Sequence, residues 1–241
     1  MSESSLMFYR HIEDSDCGYL PDRQSNSIFI DPDSEPSEDQ LNLLHLQGFR
    51  RSGKLVYRPQ CPECNACLSS RIINAEFNPS KNQKKAIKRN QDLRLCWTEA
   101  EFQTEHYELY ERYIAQRHCD GEMYPASKDQ YQGFLIEGHG THRFLEIRDN
   151  EDVLIACCVV DVFHDGLSAI YSYFNPDYPR RSLGRFIVLA LISQGQQMGL
   201  PYTYLGYWIK ESSKMNYKAD YQPLEVYDGQ MWRKLINDEL I

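Results

Sequence analysis

Between Tyr202 and Lys218 the chain interleaves aromatic rings with cations: Tyr202, Tyr204, Tyr207, Trp208, Lys210, Lys214, Tyr217 and Lys218. That mixture grips single-stranded nucleic acid, with rings stacking on bases while ammonium groups meet phosphate. If the stretch after Gly206 is helical, Lys210, Lys214 and Lys218 fall one turn apart on one face, where they repel unless an anion lies across them. A solvated lysine face beside an aromatic core is the alternative, and residue types alone do not separate the two. Residues 81–94 hold Lys81, Lys84, Lys85, Lys88, Arg89 and Arg94 against the single acid Asp92, whereas five acids and no base lie between Asp31 and Asp39. The net charge of -9 is therefore unevenly spread. A segregated basic stripe attracts phosphate while the remaining surface stays acidic.

A third group carries sulfur. Cys61-x-x-Cys64-x-x-Cys67 can reach one tetrahedral metal or an iron–sulfur cluster if a fourth ligand comes from elsewhere, and Cys17 is the best candidate. No further Cys-x-x-Cys is present, and reduced, unligated thiols are the alternative. Cys157 and Cys158 lie in an apolar run and read as core; Cys96 and Cys119 carry no metal argument. The first residues, MSESSLMFYRHIEDSD, lack a basic segment followed by an apolar one, so no signal peptide is expected. No apolar run reaches the ~18–20 residues of a membrane span. Eight cysteines without an export signal point to a reducing, cytoplasmic setting, with no membrane and no disulfide-linked partner.

Helices and strands must hold these residues in place. With 241 residues the chain makes one large or two small domains. Ser37 with Gln40, Ser80 with Gln83 and Ser127 with Gln130 have the spacing of helix starts. The first opens a helix through Leu41, Leu44 and Leu46 that Gly48 ends. The second opens the basic stripe as a helix of roughly four turns. Residues 104–117 are amphipathic at helical spacing. Strands are expected over 49–58, 71–77 and 93–99. From His142 the pattern changes to strands at 143–147, 153–163 and 167–174 joined by hairpin turns. The middle one is nearly all apolar, as a central strand should be. A helix over 182–198 follows, then a strand from Tyr202.

Three antiparallel strands, a long helix and a further strand are the core of a Gcn5-related acyltransferase sheet. The predicted fold class is α+β, with an acyltransferase-like mixed sheet and helices over residues 77–241. A smaller cysteine-containing N-terminal region is expected over residues 1–76. In such folds the loop before the long helix offers backbone N–H groups to a pyrophosphate. Here that loop reads Arg180-Arg181-Ser182-Leu183-Gly184 and has one glycine where coenzyme A binders usually have more.

Laid out in this way, the chain resembles the bacterial aspartate/glutamate leucyltransferases of the N-degron pathway, relatives of the eukaryotic arginyl-tRNA–protein transferases. The resemblance runs through Cys17-Gly18-Tyr19-Leu20-Pro21-Asp22-Arg23, Gly48-Phe49-Arg50-Arg51-Ser52-Gly53 and Tyr57-Arg58-Pro59 before the cysteines. It continues through Phe77-Asn78-Pro79-Ser80, Arg117-His118-Cys119-Asp120-Gly121, Tyr171-Ser172-Tyr173-Phe174 and Arg181-Ser182-Leu183-Gly184. Leu205-Gly206-Tyr207-Trp208-Ile209-Lys210 with Lys214-Met215 is its most specific block. The resemblance implies transfer of leucine from leucyl-tRNA to proteins that begin with Asp or Glu, marking them for degradation. Leucine rather than arginine as donor follows from the short bacterial-type layout. Eukaryotic relatives carry a cysteine where this chain has Leu20, so any cluster here takes its ligands from Cys17, Cys61, Cys64 and Cys67.

An aminoacyl ester is already activated, so the chemistry needs positioning rather than ATP or a catalytic metal. An α-amine with an ordinary pKa of about 7.7–8.0 needs only a modest base. Asp161, at the end of the central strand, is the candidate for orienting or deprotonating it, with Glu146 second. Tyr171, Tyr207 and Lys210 are candidates for the oxyanion and the leaving group. The acceptor's acidic first residue calls for a cation, with Arg23, Arg50, Arg51, Arg71 and Lys218 as candidates. Lys84, Lys85, Lys88, Arg89, Arg181 and Lys214 are the candidate tRNA phosphate contacts. A coenzyme A-dependent N-acetyltransferase with a zinc module, an arginyl-tRNA–protein transferase and a non-enzymatic RNA-binding zinc protein are the alternatives.

Overall fold

The computed structural model describes residues 6–11 and 13–241; the first residues of the segment read for a signal peptide lie outside that range. The N-terminal part contains β1 (Phe8–Arg10), a ribbon of β2 (Ser15–Asp16) and β3 (Gln24–Ser25), β4 (Ser27–Ile30), α1 (Glu38–Leu46), β5 (Arg50–Ser52) and β6 (Leu55–Pro59). The remaining elements in chain order are β7 (Leu68–Ile73), α2 (Lys81–Arg89), β8 (Arg94–Glu99), α3 (Thr104–Arg117), α4 (Lys128–Tyr131), β9 (His142–Arg148), β10 (Leu154–Phe163), β11 (Gly166–Phe174), α5 (Leu183–Gln197), β12 (Tyr202–Trp208), β13 (Leu224–Tyr227), β14 (Trp232–Ile236) and β15 (Glu239–Leu240).

Besides the β2–β3 ribbon, the described residues form two larger sheets: a four-stranded one ordered β1-β4-β6-β5 and a nine-stranded one ordered β15-β14-β13-β7-β12-β11-β10-β9-β8. The predicted core is present. β9, β10 and β11 pair antiparallel, and α5 returns the chain so that β12 lies parallel to β11. This is the mixed α+β sheet with helices that the patterning indicates. β7, which precedes the expected border at residue 76, pairs between β12 and β13 inside the large sheet.

Alternation along the strands assigns the two faces. Leu145, Ile147, Ala156, Cys158, Val160 and Leu167 pack with Phe186, Ile187, Ala190 and Leu191 of α5. Phe144, Cys157, Val159 and Tyr173 point the other way, against Tyr107, Tyr110 and Ile114 of α3. Apolar side chains on most sides of α5 explain why a helix this buried needs no polar stripe. Within it, Gly195 is required: a Cβ there would sit 2.5 Å from Asn74 Nδ2 and 3.2 Å from Thr203 Oγ1 of β12, so only glycine fits this close approach.

The parallel pair is short. β11 and β12 are in register only from Gly166↔Tyr202 to Ser168↔Tyr204. Beyond that point β12 pairs with β7 alone while β11 stays on β10, so the two strands part. Because α5 follows β11, its N-terminal end lies where that gap is widest.

Ser37 and Ser80 form the expected capping boxes with Gln40 and Gln83, and Ser127 accepts from the Gln130 amide. Four expectations change. The basic helix α2 has nine residues, about two and a half turns rather than four, because Asn90 ends it with its side chain on the Ala86 and Arg181 carbonyls. The strand expected over 49–58 is a hairpin, and the one expected over 71–77 runs from Leu68 to Ile73. No helix carries Lys210, Lys214 and Lys218 on one face. After Trp208 the chain turns through Ser212, whose carbonyl accepts from the Met215 and Asn216 amides, and only Asn216–Asp220 is a short 3-10 helix. Serine pairs at such positions favour turns over continued helix.

The β5–β6 hairpin holds Arg50 and Arg51, and Gly53 at its tip has φ +59. A Cβ there would lie 2.1 Å from the Gly133 carbonyl oxygen. Gly53→Ala is expected to destabilise the protein by about 3 kcal/mol, lowering the melting temperature by roughly 10 °C in thermal denaturation. An unchanged melting temperature would show that this contact does not seat the hairpin.

Candidate active site

Arg51 Nε donates to both carboxylate oxygens of Asp161, at 2.7 and 3.0 Å, and Arg51 Nη1 donates to the Glu137 carbonyl. Both side chains are buried. Burial pushes the Asp161 carboxyl above its ordinary range, with Arg51 opposing that rise. A carboxylate more basic than usual, held in one orientation, can orient an amine or take its proton.

Next to this pair lies Arg50, equally buried. Its Nη1 donates to Ser168 Oγ at 2.7 Å and sits 3.4 Å from His45 Nδ1. His45 in turn stacks on Phe163, with ring centroids 3.7 Å apart. Arg50, Arg51, His45, Asp161 and Ser168 line a cavity of about 230 Å³ whose apolar wall includes Leu41, Leu44, Phe49, Phe163 and Ile170. Glu38 and His164, both exposed, also line it. Ser168 belongs to the last paired rung between β11 and β12, so the cavity lies at the point where those strands part.

The other candidates are placed as follows. The Tyr171 hydroxyl contacts Met123 sulfur at 3.7 Å, and burial raises its pKa. Tyr207 is buried, with its hydroxyl donating to the Gly48 carbonyl at 3.0 Å. Lys210 is exposed and donates to the Asp238 carbonyl. Lys218 is buried and donates to the Tyr207 carbonyl; burial lowers its pKa to about 7. Arg71 is enclosed: its Nε meets Glu225 at 2.7 Å and its guanidinium lies 3.6 Å from the Tyr202 ring centroid and 4.2 Å from that of Trp232. Arg23 is exposed on a loop whose carbonyl accepts from the Cys17 amide. Of these groups, only Asp161, Arg50 and Arg51 come together at the cavity.

Lys84, Lys85, Lys88 and Arg89 are all exposed on α2. Arg89 donates to the Arg180 carbonyl, and Arg181 pairs with Asp92 at 2.8 Å. Arg89, Arg180 and Arg181 line a shallow depression beside the start of α5. On the other face, Tyr113 at the end of α3 packs on Phe174, its hydroxyl lies 3.3 Å from His118 Nε2, and Arg117 sits over the Phe174 ring. Lys214, exposed, lowers the His118 pKa along with burial, which is the larger cause. Cations and rings thus gather at the open end of the gap between β11 and β12.

Cys17, Cys61, Cys64 and Cys67 are half-buried free thiols. Burial, then Cys61, Cys17 and Cys64, push the Cys67 thiol up to about 12. The four sulfurs therefore share one neighbourhood. Among the described residues no three His, Cys, Asp or Glu side chains converge closely enough to hold a metal ion. The donors suit zinc or an iron–sulfur cluster in type.

A second buried network was not legible in the residue order. His106 Nε2 lies 2.9 Å from Glu146, which also binds Thr98 and Arg148, and His106 Nδ1 lies 3.1 Å from the Tyr173 hydroxyl. It braces α3 against the sheet. Burial holds the imidazoles of both His106 and His45 below the ordinary value. Unfolded, both titrate near 6.5, so below that pH the unfolded chain takes up protons that the folded one resists. Stability is therefore expected to fall as pH drops through 6.5 toward each folded pKa, read as a falling urea midpoint. His106→Gln should flatten part of that slope, and an unchanged slope would assign it to other groups.

Comparison with known proteins places these features in context. Residues 15–85 match the family described as arginine-tRNA-protein transferase, N terminus, and residues 105–228 match the corresponding C terminus. A Teredinibacter turnerae protein called aspartate/glutamate leucyltransferase is 46% identical over 216 residues, covering 90% of this chain and 89% of that one. A Pseudomonas fluorescens protein of the same name is 44% identical over 233 residues, covering 96% and 98%. Among solved structures, L-PGS from Bacillus licheniformis aligns with a TM-score of 0.47 at 11% identity, covering 71% of this chain and 50% of that one.

Proposed function

The chain belongs to the arginine-tRNA-protein transferase family, and from that membership we propose that it moves leucine from leucyl-tRNA to the α-amine of proteins beginning with Asp or Glu. The observation that carries this reading to the atoms is the buried Arg51–Asp161 pair beside a cavity at the parting of β11 and β12. The basic surface of α2 with Arg180 and Arg181 supports entry of the tRNA from the open end of that gap. The rings and cations around Tyr113, His118 and Lys214 suit the unpaired 3′ end. The acceptor's amine approaches from the cavity side.

The α-amine attacks the ester carbonyl, forming the C–N bond of the new amide. Asp161 takes the proton that the amine releases. The ester C–O bond then breaks, and the ribose oxygen leaves with a proton. Holding amine and ester together supplies ~7–11 kcal/mol of the barrier reduction. Tyr171, Tyr207 and Lys210 remain the proposed donors for the oxyanion and leaving oxygen, Tyr207 on giving up its bond to the Gly48 carbonyl and Lys210 its bond to the Asp238 carbonyl. Cys17, Cys61, Cys64 and Cys67 would supply the thiolates for a zinc ion or iron–sulfur cluster only by closing in on one another, since as placed no three of them converge on an ion. The transfer steps use none of its electrons.

Incubating the protein with an Asp-initiated peptide and leucyl-, arginyl- or phenylalanyl-tRNA, then reading peptide mass, tests the proposal. Addition of leucine alone is expected. Addition of arginine, or of acetyl from acetyl-coenzyme A, would replace it with the corresponding alternative.

A further inference from the structure

Resting on that reading, we propose that the cavity beneath α1 seats the acidic side chain of the acceptor's first residue, and that Arg50 is the group that reads it. Charge is the reason. Two guanidinium groups, Arg50 and Arg51, line the buried part of the cavity, and only one carboxylate, Asp161, lies with them; Glu38 is at the exposed edge. Asp161 is engaged twice by Arg51. Among the described residues no carboxylate pairs with Arg50, whose bonds go to the Ser168 hydroxyl, to His45 Nδ1 at 3.4 Å and to the Ser70 carbonyl at 3.5 Å. Arg50 Nε, Arg51 Nη2 and His45 Nε2 are buried without a hydrogen-bond partner. A buried guanidinium short of an anion is costly to maintain, and with His139 Nε2 there are four unsatisfied groups around one cavity, which mark where a ligand completes the set.

The missing partner must carry a negative charge, which separates the two substrates. The leucyl ester offers an ammonium and no anion, so it would add a cation to a site already in surplus. An N-terminal Asp or Glu offers both signs: its side-chain carboxylate complements Arg50, and its ammonium complements Asp161. That arrangement delivers the amine to the carboxylate proposed to deprotonate it. Of the other candidate cations, Arg71 is committed to Glu225 and two rings, Lys218 to the Tyr207 carbonyl, and Arg23 is exposed and does not line the cavity. Ser168 acts as a positioning residue, since its hydroxyl fixes Arg50 Nη1.

The test measures peptide binding by calorimetry with the intact protein and no tRNA, using two peptides that differ only in Asp or Asn at the first position. A charge-assisted contact predicts that wild type binds the Asp peptide about tenfold or more tightly than the Asn peptide. Arg50→Gln should erase that preference, and Ser168→Ala should reduce it. Equal binding of the two peptides by wild type, or an intact preference in folded Arg50→Gln, would overturn the assignment. If Arg50→Gln does not fold, Ser168→Ala decides: a preserved preference counts against the assignment. Because no tRNA is present, a protein that transferred no leucine would still show the preference, so the two readings fail separately.

Discussion

Asp161→Asn is expected to lower the single-turnover rate of leucine transfer at least about a hundredfold with both substrates saturating. Asparagine fills the same volume and still accepts a hydrogen bond, but it cannot take the amine's proton. The same exchange leaves Arg51 buried without its counter-ion, which should cost about 3 kcal/mol of stability. Loss of activity could then be ascribed to unfolding, so a second variant is needed. Asp161→Asn combined with Arg51→Met removes the stranded charge along with its partner. Stability should recover in the double variant while transfer stays lost, because the missing proton acceptor is unaffected by the repair. Full turnover by folded Asp161→Asn would remove the carboxylate from the mechanism.

Replacing Lys84, Lys85, Lys88 and Arg89 together by alanine should weaken tRNA binding about a hundredfold at low salt. The rate at saturating tRNA should be nearly unchanged. The four side chains are exposed on one short helix, and Arg89 among them lines a depression with Arg180 and Arg181 at the start of α5. For every phosphate no longer neutralised, the slope of log affinity against log salt should fall by about 0.7–0.9, so removing four cations should flatten it by about 3. These residues touch no part of the cavity, and peptide affinity should not move. A salt slope identical to wild type would place the tRNA on another surface.

Both experiments start from residues the chain order already suggests, but for different reasons. Exposed lysines on an amphipathic helix are legible because local spacing decides which side they occupy: Gln83 and Ala86 face inward and the cations outward. Asp161 stands out because a carboxylate ends an otherwise apolar run. The serine-initiated helices, the hairpins around residues 142–174 and the return through α5 follow from short-range patterning in the same way. The lysine triad failed for a related reason. Spacing of four residues implies one face only inside a helix, and serines at 212 and 213 turn the chain before a helix can form. Lys218 then becomes a buried donor to a backbone carbonyl.

What no local pattern contains is the meeting of Arg50 with Ser168, 118 residues apart, or of Arg51 with Asp161, 110 apart. His45 looks like a polar interruption in a leucine-rich helix until Phe163 and Arg50 are packed on it. By itself the amino-acid order determined the strand and helix order from β8 to β12, the basic helix, the clustering of thiols and the family resemblance, since each depends on neighbours a few residues away. The tertiary structure alone decided that Arg51 and Arg71 pair with carboxylates while Arg50 lies buried at the cavity without one of its own. It also decided that β11 and β12 separate after one short parallel run and that a cavity opens there. Charge balance in a buried site is a sum over elements that meet only when the sheet closes, so it is fixed by packing and not by spacing along the chain.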